Sequence, residues 1–493
     1  MIKKGLFICL LFLSHPLWAE QYTYNYTESC NKAYQHYMAL HIPEGNVALK
    51  QALMADPYNL LATYIGDYDD CLTLLINADR SVFDKCKGHM DYRLSLLNNG
   101  SEASPWYRLC KAGIYLHWAL VNVRFGEHFK AATLFRKSYL LLKENEEKFP
   151  HFDYNKVFLG LEETVVGTIP DNYKWVASVL GLHGSVRKGI EDISSFLNAH
   201  HTNDPLYTEA VVYQAYLKFY LQSKQKEVWD FLSSNEYVTA DNLLYTFVKA
   251  NIAVNYRKAD VAIQTMRQED INKDYLRYPV FDYEMGNALL SRLDPVAISY
   301  FQRYLKNNRS RIYIKDTWQK MAYVYYLQGN TREAEYCRTQ INTQGSTQVD
   351  ADKQAQRFYE KQEWPPTGLL KAHLLIDGGY HKQALEALSI IKETSLSKLS
   401  DKLEYNFRMA RAYDEGGDVT KALAYYQRTI NMGKNEAEYY AARSALQIGF
   451  IYEHSGNTKE ALARYRECLS MRGHDFQSSL DQQAKAGVNR LGK

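Results

Sequence analysis

The patterns that usually announce an enzyme are missing from these 493 residues. There is no His-Glu-x-x-His, no Gly-x-Ser-x-Gly, no glycine loop for phosphates and no Cys-x-x-Cys. The motifs that seat a catalytic zinc, an elbow nucleophile, a nucleotide or a redox dithiol are therefore unavailable. Histidine spacing points the same way. His36 and His41 are five apart and His200 and His201 are adjacent, so neither pair puts two imidazoles on one helix face. They read as surface residues, and no metal or cofactor is expected. Asp67, Asp69 and Asp70 imitate the start of a calcium loop but lack its later glycine and glutamate. They read as the solvated face of a helix. No polybasic run occurs, which argues against nucleic acid or anionic lipid as a partner. After the first twenty residues no apolar run approaches the ~20 needed to cross a bilayer, so no membrane insertion is expected. Proline is scarce at 11, against 41 tyrosines, which suits helices packed through aromatic rings rather than strands and turns.

What is present begins with a leader. Lys3 and Lys4 precede an apolar stretch from Leu6 to Leu13, and Ala19 stands before Glu20. That order reads as a secretory signal cleaved near Ala19, sending the chain to the periplasm of a double-membraned bacterium or beyond it. Losing the two lysines leaves the rest close to neutral. Cys9 lies inside the apolar stretch rather than behind a small residue at its end, so lipid attachment is not expected.

The chain is organised around one pattern written twice. Ala410, Tyr413, Gly417, Ala422 and Tyr426 are repeated 39 residues on as Gly449, Tyr452, Gly456, Ala461 and Tyr465. A small residue in a first helix admits a close second helix, a glycine makes the turn, and an alanine receives the next helix. Related spacing is visible at Ala322, Tyr325, Gly329 and Ala334, at Ala372, Gly379 and Ala384, and at Gly286, Ala297 and Phe301. Gly329, Gly379, Gly417 and Gly456 should each lie in a turn between antiparallel helices. An additional helix at 349–361 fills the longer interval before Ala372. This pattern resembles the tetratricopeptide repeat. The resemblance implies an all-α, right-handed solenoid of helical hairpins, with a degenerate half over 20–278, a regular array over 279–476 and a polar capping helix over 477–493.

In the degenerate half, helices are expected at 26–40, from Glu44 to Asp56, at 60–76 and at 80–97, with a long apolar helix opening at Pro105. Glycine and proline then set off a short hairpin around Pro170, with Ser185 as a cap for the helix that follows. Asp171, Asn172, Tyr173, Lys174 and Trp175 form its distinctive string. One reading is a peptide- or glycan-binding edge; the other is a capping region with Trp175 buried beside Val176 and Leu180. This string is similar to a feature of exported bacterial tetratricopeptide-repeat proteins. They are distantly related to a eukaryotic family tied to the mitochondrial outer membrane and to clearance of protein inclusions.

Six cysteines follow the leader. Cys110 and Cys468 fall on apolar faces and read as buried thiols. Cys71 and Cys86 sit at equal distances from a turn near 77–80, which places them at one height of an antiparallel hairpin. In an oxidising compartment they could form a disulfide; rotation of Cys71 off the shared face would leave two separate thiols.

The resemblance implies a concave groove lined by first helices. Counting one and four residues from each small position gives Tyr323 and Tyr326, His373 and Ile376, Arg411 and Asp414, Phe450 and Glu453. Aromatic and charged residues in that arrangement can hold an extended peptide, unless they are used against a neighbouring helix. The expected function is a non-enzymatic scaffold for a protein or peptide partner. The alternative is glycan capture.

Overall fold

A computed structural model describes residues 22–169, 174–222, 224–234, 241–269 and 277–492. The leader and residues 170–173 lie outside that set. Among the described residues regular structure is helical, apart from one isolated bridge pairing Thr23 with Asn59. No helix among them is long and apolar enough to cross a membrane. The chain forms two compact units, one of residues 1–75 and 81–217 and one of 76–80 and 218–493.

The second unit is built from regular hairpins. Their first and second helices are Ile314–Leu327 with Thr331–Thr343, Thr367–Gly378 with His381–Ser389, Leu399–Glu415 with Val419–Gly433, and Tyr440–His454 with Thr458–Ser470. Each pair is joined where the sequence places its glycine. Gly329, Gly379, Gly417 and Gly456 all adopt φ between +77° and +89°, a conformation that costs glycine little. Directly after three of these turns, Asn330, Asp418 and Asn457 accept the amide of the third residue on, capping the second helix. The small positions do what their spacing implies. A Cβ on Gly286 or on Gly449 would come within 2.5 Å of the ring of Phe301 or Tyr465, respectively. Ala410, Ala422 and Ala461 are fully buried in the core shared by the last two hairpins. The extra helix runs Asp350–Lys361 and packs Ala355 and Phe358 against Ile341 and Trp318. The terminal helix Gln477–Leu491 is more than a solvated cap, since Leu480 and Ala484 are buried in the same core.

The first unit is less regular. Glu28–Met38 pairs with Ile42–Ala55, Pro105–Arg124 with His128–Lys148, and Asn155–Gly167 with Val186–Ala199. Two helices expected to be continuous are each broken at a glycine. Leu60–Ile65 gives way at Gly66 to Asp67–Asn77, and Arg80–Cys86 gives way at Lys87 and Gly88 to His89–Leu97. The cause lies in Asp67 and Asp70, which are buried rather than solvated. Arg93 donates to Asp67 Oδ1 at 3.0 Å and to Asp70 Oδ2 at 2.6 Å. Trp118 Nε1 donates to Asp67 Oδ1 at 3.1 Å, and His117 Nδ1 lies 2.9 Å from Asp67 Oδ2. Burying a carboxylate is tolerable only with such partners, and the breaks let the helices turn to supply them.

The hairpin around Pro170 also departs from expectation. Ser185 caps the following helix by accepting the Lys188 amide, but Trp175 is 68 % exposed and Val179 is 78 % exposed. The flanking helices leave no room for them. Gly160 and Gly189 meet backbone to backbone, so that a Cβ on Gly160 would stand 2.6 Å from the Gly189 carbonyl oxygen. Those two helices close on each other, and Lys174–Val179 is left outside their contact.

Candidate functional site

The expected groove residues belong to the second unit, and the structure divides them into two groups. Tyr323 and Tyr326 are used internally. Tyr323 meets Phe358 edge-on at 5.2 Å and its hydroxyl accepts from Gln319 Nε2 at 2.7 Å. Tyr326 stacks on Trp364 with ring centroids 4.4 Å apart and donates to the Pro365 carbonyl at 3.2 Å. The extra helix and the Trp364-Pro365-Pro366 break that follows it therefore cover these tyrosines. Ile376 is fully buried among Leu375, Ala384 and Ala412. At the other end Phe450 packs on Tyr465, while Glu453 accepts from Tyr465 and from Arg490 of the terminal helix at 2.7 and 2.8 Å. These five positions join neighbouring helices, as the alternative reading of the groove allows.

His373, Arg411 and Asp414 converge with residues the spacing rule passed over. His373 Nε2 lies 3.1 Å from Asp377 Oδ2, both half-exposed. The protein mass around it opposes ionisation of the Asp377 carboxyl, but His373, Arg408 and Arg411 together hold it well below the usual carboxylate range. Arg411 donates to Glu415 Oε1 at 2.9 Å, and Arg257 donates to the same oxygen. Arg408 is buried and paired with Glu404 through its Nε and Nη2, at 3.1 and 3.0 Å. Asp414 accepts the Tyr426 hydroxyl at 3.0 Å. Burial first, then repulsion from Arg411, pulls the Arg443 guanidinium down to about 10. Its polar contact among the described residues is with Gln483 Oε1, at 3.4 Å, and no carboxylate pairs with it there.

Three successive first helices thus meet on one charged surface. Arg408 and Arg443 were legible in principle. Stepping back from Arg411 by three residues gives Arg408, and stepping back seven from Phe450 gives Arg443, both continuations of the same helical stripe. Arg257 was not, because it comes from another hairpin and no local spacing connects it with Glu415.

Of the string at Pro170, Asp171, Asn172 and Tyr173 lie outside the described residues. Lys174 and Trp175 are exposed on the short helix. The six cysteines after the leader are free thiols; Cys110 and Cys468 are buried as expected. Cys71 is buried and Cys86 is turned toward Asp70 instead of toward Cys71. The two stand as separate thiols, Cys71 buried and Cys86 half-buried.

Fold and inner face together define an all-α protein of repeated helical hairpins. Within it, residues 404–431 match the model of the tetratricopeptide repeat family. That match covers one hairpin, and its neighbours repeat the spacing of small residue, turn glycine and alanine. No curated protein sequence matches the chain. Two solved structures align over most of it. One, described as the crystal structure of the APC/C hetero-tetramer Cut9-Hcn1, is 12 % identical, with 92 % of this chain and 95 % of that chain covered and a TM-score of 0.27. The other, described as the structure of Naa15/Naa10 bound to HypK-THB, is 15 % identical, with 94 % and 66 % covered and a TM-score of 0.25. Likenesses at these scores carry no argument about partner or shape.

Proposed function

We propose that the chain is a non-enzymatic scaffold, exported to the periplasm or beyond, whose second unit binds a protein partner through an extended segment. The observation that carries this reading is the convergence of His373, Asp377, Asp414 and Arg443 from three consecutive first helices, with Arg411 buried among them and held by Glu415. Charges spaced by the hairpin repeat offer a peptide both positive and negative contacts, and among the described residues no carboxylate pairs with Arg443. Export rests on the order of the first nineteen residues. The glycan alternative draws on accessible flat aromatics, yet the groove ring of Tyr326 is stacked on Trp364 and that of Tyr323 lies against Phe358.

The test pairs a glycan array with affinity capture from the native host, using the full chain and an Arg443→Glu variant. The reading expects protein capture that the variant reduces at least tenfold, with a silent array. Glycan binding that survives Arg443→Glu, with no protein captured, would replace it by the alternative.

A further inference from the structure

Cys86 has neighbours that a structural thiol does not need. We propose that Asp70, Cys86 and His89 form a binding site for a divalent transition metal ion of the zinc type. One carboxylate oxygen, one sulfur and one imidazole nitrogen from these residues lie within 4.8 Å of one another. They arrive from three consecutive helices of the first unit. Asp70 lies in the first turn of Asp67–Asn77, Cys86 ends Arg80–Cys86, and His89 begins His89–Leu97. The break at Lys87 and Gly88 lets the last two face the first. A mixed sulfur, nitrogen and oxygen donor set suits zinc or cobalt and is poorly suited to magnesium or calcium. Three protein donors leave one tetrahedral position for water, and the His89 side chain is 51 % exposed, so that position is open to solvent.

The surroundings favour a cation. Asp67, Asp69 and Asp70 supply three carboxylates close to one guanidinium, Arg93. Arg93 already holds Asp70 Oδ2 at 2.6 Å and would compete with a metal for that carboxylate. It is also fixed by Asp67 Oδ1 at 3.0 Å and by the Gly66 carbonyl at 2.8 Å. It therefore keeps two partners when Asp70 turns toward an ion. His89 Nδ1 stands 2.9 Å from the same Asp70 oxygen, so the donors are already drawn together. Binding exchanges the S–H bond for an S–metal bond and passes that proton to solvent. Cys71, fully buried one residue from Asp70, is not part of the donor set.

The test is titration of the purified, chelator-stripped full chain with cobalt chloride, followed by zinc chloride. One equivalent of cobalt should give a thiolate-to-cobalt charge-transfer band and release about one proton, and zinc should bleach the band. Cys86→Ser should abolish the band and Cys71→Ser should leave it. His89→Ala, a surface change that spares the fold, should weaken binding by at least the 10–100-fold that losing even an outer-shell partner costs. Absence of the band in the unaltered chain, or its persistence in Cys86→Ser, would overturn the proposal. A circular dichroism spectrum unchanged in His89→Ala keeps loss of binding distinct from unfolding.

Discussion

The two units use the inner faces of their first helices in opposite ways. In the first unit those faces turn on one another. Tyr34 and Tyr68 both donate to the buried carboxylate of Glu209, Tyr64 bonds Tyr68 at 2.7 Å, and His117 packs 4.9 Å from the Tyr68 ring while reaching Asp67. In the second unit regular turns hold the hairpins, and His373, Asp377 and Asp414 remain partly open to solvent. The polar groups of the first unit's network are spent on one another and are not offered to a protein partner. A unit that is held by small residues and turn glycines can keep charges for a partner. Regular packing leaves part of a charged face open to solvent.

The sharpest way to break this comparison is at Asp67. Asp67→Ala strands buried His117 and Trp118 and takes one of two carboxylates from Arg93, and should cost about 3–5 kcal/mol in a urea melt. Glu453→Gln in the second unit, where the lost charge pair with Arg490 is partly exposed, should cost no more than about 1 kcal/mol. Equal losses would erase the contrast. Next come the packing positions of the array. Ala422→Leu or Ala461→Leu should destabilise by about 1–3 kcal/mol through overpacking, because each methyl faces a filled core. A thermal melt unchanged in both would contradict it.

A pH series sharpens the first unit further. Glu162 is fully buried, and among the described residues neither of its carboxyl oxygens finds a hydrogen-bond partner. Burial raises its carboxyl well above the ordinary value, outweighing a lowering influence from Ser138. Folding therefore keeps a proton that the unfolded chain gives up. Stability from this group is complete below the ordinary glutamate range and is lost as pH rises from there toward the raised folded value. Glu162→Gln should flatten the decline in melting temperature between acid and neutral pH; an unaltered slope would mean the carboxyl ionises freely.

Smaller effects separate the turn glycines. At Gly417 a Cβ meets nothing within 4 Å, so Gly417→Ala should cost only the backbone penalty, about 1 kcal/mol. At Gly379 the same Cβ would collide with the Arg257 carbonyl, and the loss should be larger. Smallest of all is Trp175→Ala. An exposed tryptophan on a six-residue helix should change stability by less than about 0.5 kcal/mol.

Local geometry decided what could be read from the amino-acid order. A turn glycine, the cap after it and the small residue before it fall within one hairpin, so Gly417, Asp418 and Ala410 announced themselves. The polar network of the first unit did not. Asp67 finds Arg93 and His117 at separations of 26 and 50 residues, and Glu209 finds Tyr68 and Tyr34 at 141 and 175. No spacing rule within a helix reaches that far, which is why Asp67 and Asp70 looked solvated. Trp175 misled for a related reason. Its apolar neighbours Val179 and Leu180 imply a buried face, but the Gly160–Gly189 approach that excludes them is made by other helices. Of the positions at offsets one and four, His373 and Asp414 keep some exposure and Arg411 is buried, while the extra helix, the neighbouring hairpins and Arg490 take up the others.

The central claim is that partners meet the second unit on its inner, first-helix face. It is tested most directly by placing a photo-crosslinking residue in turn at His373 and Asp414, and at the exposed second-helix positions Lys459 and Arg466. Irradiation in the native host should yield a protein adduct from His373 and Asp414 and none from Lys459 or Arg466. Adducts from the second-helix positions, with the inner face silent, would contradict the account.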